Sequence, residues 1–154
     1  MNEREEKIKS LGLTLPPAPK PAGSYLPVVI DGDRAWVSGQ LSRKPDGSVL
    51  TGTVGKDLTP EQGTQAARAA ALAVLSVIRQ EFGFSRVDRI LNVTGFVQSA
   101  PDFYDIPAVL NGASDLFVEI FGDAGRHART AVGAQNLPLA AAVELQVTIR
   151  LKGE

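Results

Sequence analysis

Residues 129–151 read RTAVGAQNLPLAAAVELQVTIRL, and this stretch carries the strongest structural pattern of the chain. In its second half apolar and polar residues alternate from Val143 to Leu151. Strict alternation predicts a β-strand with one face in the core and the other face open to water or to a partner. We therefore expect two neighbouring strands, over 129–137 and over 142–151, joined by a turn that contains a Leu-Pro pair.

A long helix is predicted upstream, beginning at Thr59-Pro60-Glu61-Gln62. The threonine can cap the helix, the proline suits its first position, and the glutamine completes a capping box. The alanine-rich sequence that follows predicts a helix as far as about Phe82, ending before a glycine. A second helix is expected over about 103–121.

Four further strands are predicted, three before the long helix and one after it, over 25–30, 34–39, 48–52 and 86–98. The order β-β-β-α-β-α-β-β predicts an α+β domain, a six-stranded mixed sheet with two helices packed on one face. The opposite face then needs water or a second copy, so self-association is plausible. Residues 1–21 are expected to form an N-terminal arm and a proline-rich linker, and residues 22–154 a single domain.

The composition narrows the classes of function. A net charge of −1 weighs against nucleic acid as a partner, and the absence of cysteine excludes disulfides and thiolate nucleophiles. No apolar run reaches about 20 residues, and the N-terminus lacks the apolar segment of a secretory signal. We expect a cytoplasmic protein that does not enter a membrane.

Four short motifs resemble those of the reactive-intermediate deaminases, the Rid or YjgF family. They are Ser38-Gly39-Gln40 after a strand, Arg129-Thr130-Ala131-Val132, Leu137-Pro138, and Val143-Glu144, fifteen positions after the arginine. Tyr25 and Asn111 match a tyrosine and an asparagine of the same family. The chain departs from the family's archetype in three places. It has His127-Ala128-Arg129-Thr130-Ala131 where the archetype has Pro-Ala-Arg-Ser-Cys, and both its 102–111 segment and its N-terminal arm are longer.

The resemblance implies a chorismate-mutase-like fold, a homotrimer, and a cleft between each pair of subunits. It also implies hydrolysis of 2-imino or enamine acids to 2-keto acids and ammonia, with no cofactor and no metal. The expected partners are therefore a small-molecule carboxylate and further copies of the chain.

The same resemblance assigns roles to residues. Arg129 is expected to grip the carboxylate, because the planar guanidinium can donate two parallel hydrogen bonds. Glu144 is expected to position or activate the attacking water. The expected substrate-binding residues are Tyr25, Ser38, Gly39, Asn111 and the backbone of Ala131, whereas His127 is expected to be an exposed loop residue.

Three alternatives remain open from sequence. The chain is a non-catalytic trimer that binds small carboxylates for regulation, or it hydrolyses another enamine or carbamate-like compound in the same site. The third is the endoribonuclease or translation-inhibitor activity of the family's older label, for which a single His and no basic stretch offer little support.

Overall fold

The computed structural model describes residues 2–153, in which one mixed sheet carries two long helices on one face. The sheet has five strands in the order β1-β2-β5-β3-β4, antiparallel except for the parallel pair β3–β4. The elements in chain order are α1 (Glu3–Ser10), β1 (Val28–Asp31), β2 (Arg34–Leu41), α2 (Pro60–Glu81), β3 (Val87–Gln98), α3 (Ile106–Phe121), β4 (Ala128–Ala134) and β5 (Val143–Leu151).

The two long helices bury the apolar face of the sheet. The predicted capping box at Thr59 is confirmed, with reciprocal hydrogen bonds to Gln62 of 2.8 and 3.1 Å. Alanines let α2 lie close to α3, and at Gly112 a Cβ atom would stand 2.1 Å from the Thr64 carbonyl oxygen. Side chains of both helices share one core with the apolar row of β5.

The N-terminal segment packs on the rest of the chain. Ile8 of α1 is 3% exposed and lies in the core, and the Arg4 guanidinium donates hydrogen bonds to the carbonyls of Phe84 and Val87. The proline-rich stretch is held where the Ser76 hydroxyl donates to the Pro16 carbonyl at 2.6 Å.

The prediction of six strands is wrong for the described residues, because 48–52 does not form a strand. Its backbone bonds go singly to different partners: the Leu50 amide donates to Ser42, and the Gly52 amide donates to Ala140. Alternating partners give isolated bridges rather than a continuous ladder. Three predicted boundaries also move inward: β1 begins at 28, α3 begins at 106, and β4 ends at 134.

Within residues 2–153, no helix is both long enough and apolar enough to cross a bilayer.

Candidate functional site

Glu144 projects from the sheet face opposite the helices. Its neighbours Val143 and Leu145 are fully buried on the helix side, so the alternation of β5 turns Glu144 to the other side. There Glu144 lines a cavity of about 280 Å³. Three other predicted site residues line the same cavity: Tyr25, Ser38 and Gly39.

The carboxylate of Glu144 is half-buried, and burial raises its pKa above the ordinary value for a glutamate. Among the described residues, no group donates a hydrogen bond to this carboxylate. A Cβ atom added at Gly39 would lie 2.7 Å from Oε2 of Glu144. The carboxylate therefore occupies space that only glycine leaves open at position 39.

Two polar side chains at this cavity are held by nearby backbone. The hydroxyl of Ser38 donates to the Leu26 carbonyl at 2.6 Å, and the Ala22 amide donates to the phenol oxygen of Tyr25 at 3.3 Å. Tyr25 remains 53% exposed, so most of its ring is available to a ligand or to another chain.

Arg129 lies on β4, the edge strand of the sheet, and faces α3. Its Nη1 donates to Asn111 Oδ1 at 2.9 Å and to Ser114 Oγ at 3.2 Å. Within residues 2–153 these are the hydrogen bonds of this guanidinium, and Nε and Nη2 have no protein acceptor there. Ala131 lies two residues further along β4, on the same face as Arg129.

His127 lies in a loop, as expected, but the expectation that it is exposed is wrong. The imidazole is half-buried immediately before β4, with Nδ1 2.7 Å from the Gly125 carbonyl oxygen and Nε2 2.9 Å from Ser114 Oγ. The ring of Phe117 meets it edge to face at 5.9 Å between centroids. Burial, and secondarily the positive charge of Arg129, lower the pKa of His127, while the bond to Gly125 opposes the shift.

The predicted site residues therefore form two groups on opposite faces of the sheet. The first group, here called the arginine half-site, comprises the predicted residues Arg129, Asn111 and Ala131 together with Ser114 and His127, which the sequence analysis did not assign to a site. The second, here called the glutamate half-site, comprises Glu144, Tyr25, Ser38 and Gly39. Arg129 and Glu144 are also separated along the direction of the strands. Arg129 and Val147 lie opposite the same point of β3, whereas Glu144 pairs with Phe96, which lies further along β3. One chain does not bring the two half-sites together.

Sequence reasoning missed two residues of these groups, His127 and Ser114. Ser114 lies three positions after Asn111, which places it on the same side of a helix and was an available signal. Its contacts with His127 and Arg129 depend on how α3 is set against β4, which no local pattern specifies.

Comparison with known proteins gives consistent results over nearly the whole chain. Residues 5–149 match the family model described as "YjgF/chorismate_mutase-like, putative endoribonuclease". Protein TCP17 of Trypanosoma cruzi is 43% identical over 146 residues, which cover 94% of this chain and 91% of that protein.

Two crystal structures are similar in fold and in sequence. Atu1372 of Agrobacterium tumefaciens, a protein of unknown function, is 36% identical with a TM-score of 0.89 over 97% of this chain and 94% of that one. A protein of Shewanella oneidensis, described as a "putative endoribonuclease", is 33% identical with a TM-score of 0.93 over 97% of this chain and 100% of that one. The chain belongs to the YjgF/chorismate mutase-like family.

Proposed function

We propose that this protein hydrolyses 2-imino and enamine acids to 2-keto acids and ammonia, in clefts between the subunits of a homotrimer. Each cleft would combine the arginine half-site of one subunit with the glutamate half-site of the next. The substrate is a small carboxylate, and the reaction needs no cofactor.

The observation that supports this proposal is that each chain carries two groups with complementary chemistry, Arg129 and Glu144, which lie apart from each other. Among residues 2–153, no acceptor contacts the Nε–Nη2 edge of Arg129, and that edge matches the two oxygens of a carboxylate. Glu144 lines a cavity, its pKa is raised, and no donor within the described part of the chain bonds its carboxylate. Because the two lie on opposite faces of one sheet, a cyclic assembly is the simple way to unite them.

The chemistry follows from these two groups. Arg129 holds the substrate carboxylate beside the C=N carbon, and Glu144 accepts a proton from water as its oxygen bonds to that carbon. The proton that Glu144 has accepted passes to the imine nitrogen, which gives a neutral carbinolamine. The amine nitrogen then takes up the hydroxyl proton, relayed by Glu144, as the C–N bond breaks and the C=O bond forms, and ammonia leaves. One water is consumed, and one ammonia is released.

The raised pKa of Glu144 suits a general base, because a carboxylate of higher pKa is the stronger base in its ionised form. Positioning and base catalysis contribute roughly 10²–10⁴-fold for one such group. An acceleration of that size over spontaneous hydrolysis is what the site is expected to supply.

Two rival functions use the same residues differently. A regulatory trimer would bind 2-keto acids through Arg129 without turnover. The endoribonuclease description of a relative suggests RNA cleavage, yet Glu144 lies in a cavity lined by several apolar side chains, including Leu41, Pro138 and Leu139. That environment favours a small ligand over an RNA backbone.

The deciding experiment generates imines in situ with an amino-acid oxidase across a panel of amino acids and follows ammonia release. Wild type is expected to accelerate release from at least one imine, and Arg129→Ala is expected to abolish the acceleration. Binding of 2-keto acids with no acceleration across the panel would favour the regulatory trimer. RNA cleavage by rigorously purified protein that Arg129→Ala removes would favour the nuclease.

A further inference from the structure

Three side chains and one carbonyl form a continuous chain of hydrogen bonds behind Arg129. Nη1 of Arg129 lies 3.2 Å from Ser114 Oγ, Ser114 Oγ lies 2.9 Å from Nε2 of His127, and Nδ1 of His127 lies 2.7 Å from the Gly125 carbonyl oxygen. The chain links β4, α3 and the loop that precedes β4.

The proton positions along this chain follow from its two ends. A backbone carbonyl can only accept, so Nδ1 of neutral His127 carries the proton and donates to Gly125. Nε2 then holds a lone pair, and the Ser114 hydroxyl donates to it. The remaining lone pairs of Ser114 Oγ accept from Arg129, so every donor points away from the guanidinium and the bonds reinforce one another.

The imidazole is held firmly enough to act as an anchor. Phe117, three residues after Ser114 on α3, meets the imidazole edge to face at an interplanar angle of 87°. The loop carbonyl is fixed too, because Gly125 is packed so closely that a Cβ atom would lie 2.2 Å from the Phe117 carbonyl oxygen. His127 therefore presents Nε2 to Ser114 from a constrained position.

Both protons of Nη1 are used, one by Asn111 and one by Ser114. The opposite side of the guanidinium, Nε and Nη2, keeps its hydrogen-bond donors for a ligand. We infer that Ser114 and His127 are positioning residues of the carboxylate site, which with Asn111 fix Nη1 and so present the Nε–Nη2 edge of Arg129 to the planar carboxylate of a 2-oxo or 2-imino acid. This inference rests on the proposed use of Arg129 as the carboxylate clamp.

The first test measures the affinity of the full-length protein for pyruvate by calorimetry. Ser114→Ala and His127→Asn are expected to raise Kd by about 3- to 10-fold, the effect of losing roughly one hydrogen bond of the network. His127→Gln, whose amide oxygen can take the place of Nε2, should retain most of the affinity. Glu119→Gln, an exposed change on the same helix, is the matched control and should leave Kd unchanged.

A double-mutant cycle separates positioning from general support of the fold. In an Arg129→Ala background, Ser114→Ala should change the Kd for pyruvate by less than about 2-fold, because its effect acts through the guanidinium. Equal losses with and without Arg129 would overturn the inference, as would an unchanged Kd in Ser114→Ala.

The second test needs no ligand. His127 is the single histidine of the chain, so its ring nitrogens are identified directly in a ¹H–¹⁵N spectrum. The neutral ring should carry its proton on Nδ1, and Ser114→Ala should shift the Nε2 signal. A proton on Nε2 would overturn the proposed direction of the chain.

The outcomes also separate this inference from the proposed function. Pyruvate binding that depends on Ser114, without imine turnover, would leave the inference standing and contradict the deaminase. Turnover that Ser114→Ala and His127→Asn do not affect would keep the deaminase and overturn the inference.

Discussion

Nη1 of Arg129 is bonded to Asn111 and Ser114, and in the proposed site the Nε–Nη2 edge binds the substrate carboxylate. Lysine offers a compact ammonium that cannot hold Asn111 and Ser114 while donating two parallel bonds to a carboxylate. Arg129→Lys is therefore expected to weaken 2-keto acid binding nearly as much as Arg129→Ala, by about 1.5–3 kcal/mol. Calorimetry beside the melting temperature checks this, and full affinity in the lysine variant at unchanged stability would remove Arg129 as the clamp.

Substitution of Glu144 is expected to affect turnover and stability in different ways. Glu144→Gln keeps the size of the side chain but removes the base, so turnover on 2-imino acids should fall by roughly 10²-fold or more while keto acid binding persists. Because the native pKa of Glu144 is raised, its ionised form lowers stability above that pKa, and the penalty disappears as pH falls through it.

The glutamine variant should consequently melt at the same temperature as wild type or higher at neutral pH, with the difference shrinking in acid. Melting curves at several pH values beside ammonia-release rates provide the measurement. Equal turnover in the two proteins would exclude Glu144 as the base.

His127 should make stability depend on pH in the opposite sense. Its native pKa lies below the value of about 6.5 expected for the unfolded chain, so the unfolded chain binds the proton first as pH falls. The free energy of unfolding should decrease as pH drops below about 6.5, until the native pKa is reached.

The other charged groups around His127 are Arg129 on β4, the Asp123–Arg126 ion pair, and Arg89 on β3, which bonds the Arg126 carbonyl. Replacing His127 by Gln removes only the titrating ring, so that variant should show a flatter pH dependence of melting between pH 5 and 7. An NMR titration midpoint of wild-type His127 at or above 6.5 would contradict the expectation.

For single residues, the sequence is a better guide to candidate site residues than to the hydrogen bonds that those residues make. The resemblance pointed to Arg129 and Glu144, and their roles as clamp and base stay predictions. The resemblance could not show that Asn111 bonds Arg129, or that Ser114 and His127 continue the hydrogen bonds from Arg129. Those contacts join residues 13–18 positions apart across two elements, and they depend on the rotation of α3 against the sheet.

At the scale of elements, β2 and β5 define where the Glu144 carboxylate can lie. Gly39→Ala would place a methyl group against Oε2 of Glu144, the mobile end of a side chain, so the carboxylate can shift at little cost to the fold. Stability should change little, whereas turnover should fall by roughly 10- to 10²-fold, because a misplacement near 1 Å is costly for catalysis.

The control for this prediction is the same substitution in a Glu144→Gln background. There Gly39→Ala should have almost no further effect on turnover, since the positioned base is already absent. A full additional loss would mean that residue 39 contacts the substrate independently of Glu144.

Local sequence patterns predicted the elements that have a regular repeat or a capping motif. They failed for the segment whose backbone pairing depends on residues distant in the sequence. The capping box and the alternation of β5 specify their elements within a few residues, and both are confirmed. The 48–52 segment has strand-like composition, yet its backbone groups alternate between Ser42 on one side and Ala140 or Ala142 on the other. The sequence of the 48–52 segment does not indicate that its backbone hydrogen bonds are shared between two different partners.

At the scale of the whole molecule, the sheet face opposite the long helices is the expected surface for contact between subunits. Exposed large apolar side chains include Trp36, Val29 and Val132, with 39–51% of each side chain accessible in one chain. Together with the divided site, they lead us to expect a homotrimer of about three times 16.3 kDa by light scattering. A clean monomer at micromolar concentration would remove the inter-subunit site as well.

Complementation between two inactive variants tests the divided site most directly. If a site takes Arg129 from one subunit and Glu144 from the next, a trimer that mixes Arg129→Ala and Glu144→Gln chains always contains one site with both residues intact. Co-expression with two different affinity tags and tandem purification isolates such mixed trimers, which should recover about a third of wild-type turnover. If each site were built within one chain, every site in a mixed trimer would carry a lesion, and turnover would stay at the level of the single variants. The same purification of two differently tagged Glu144→Gln chains measures that level, so recovery above it can come only from residues of two subunits meeting in one cleft.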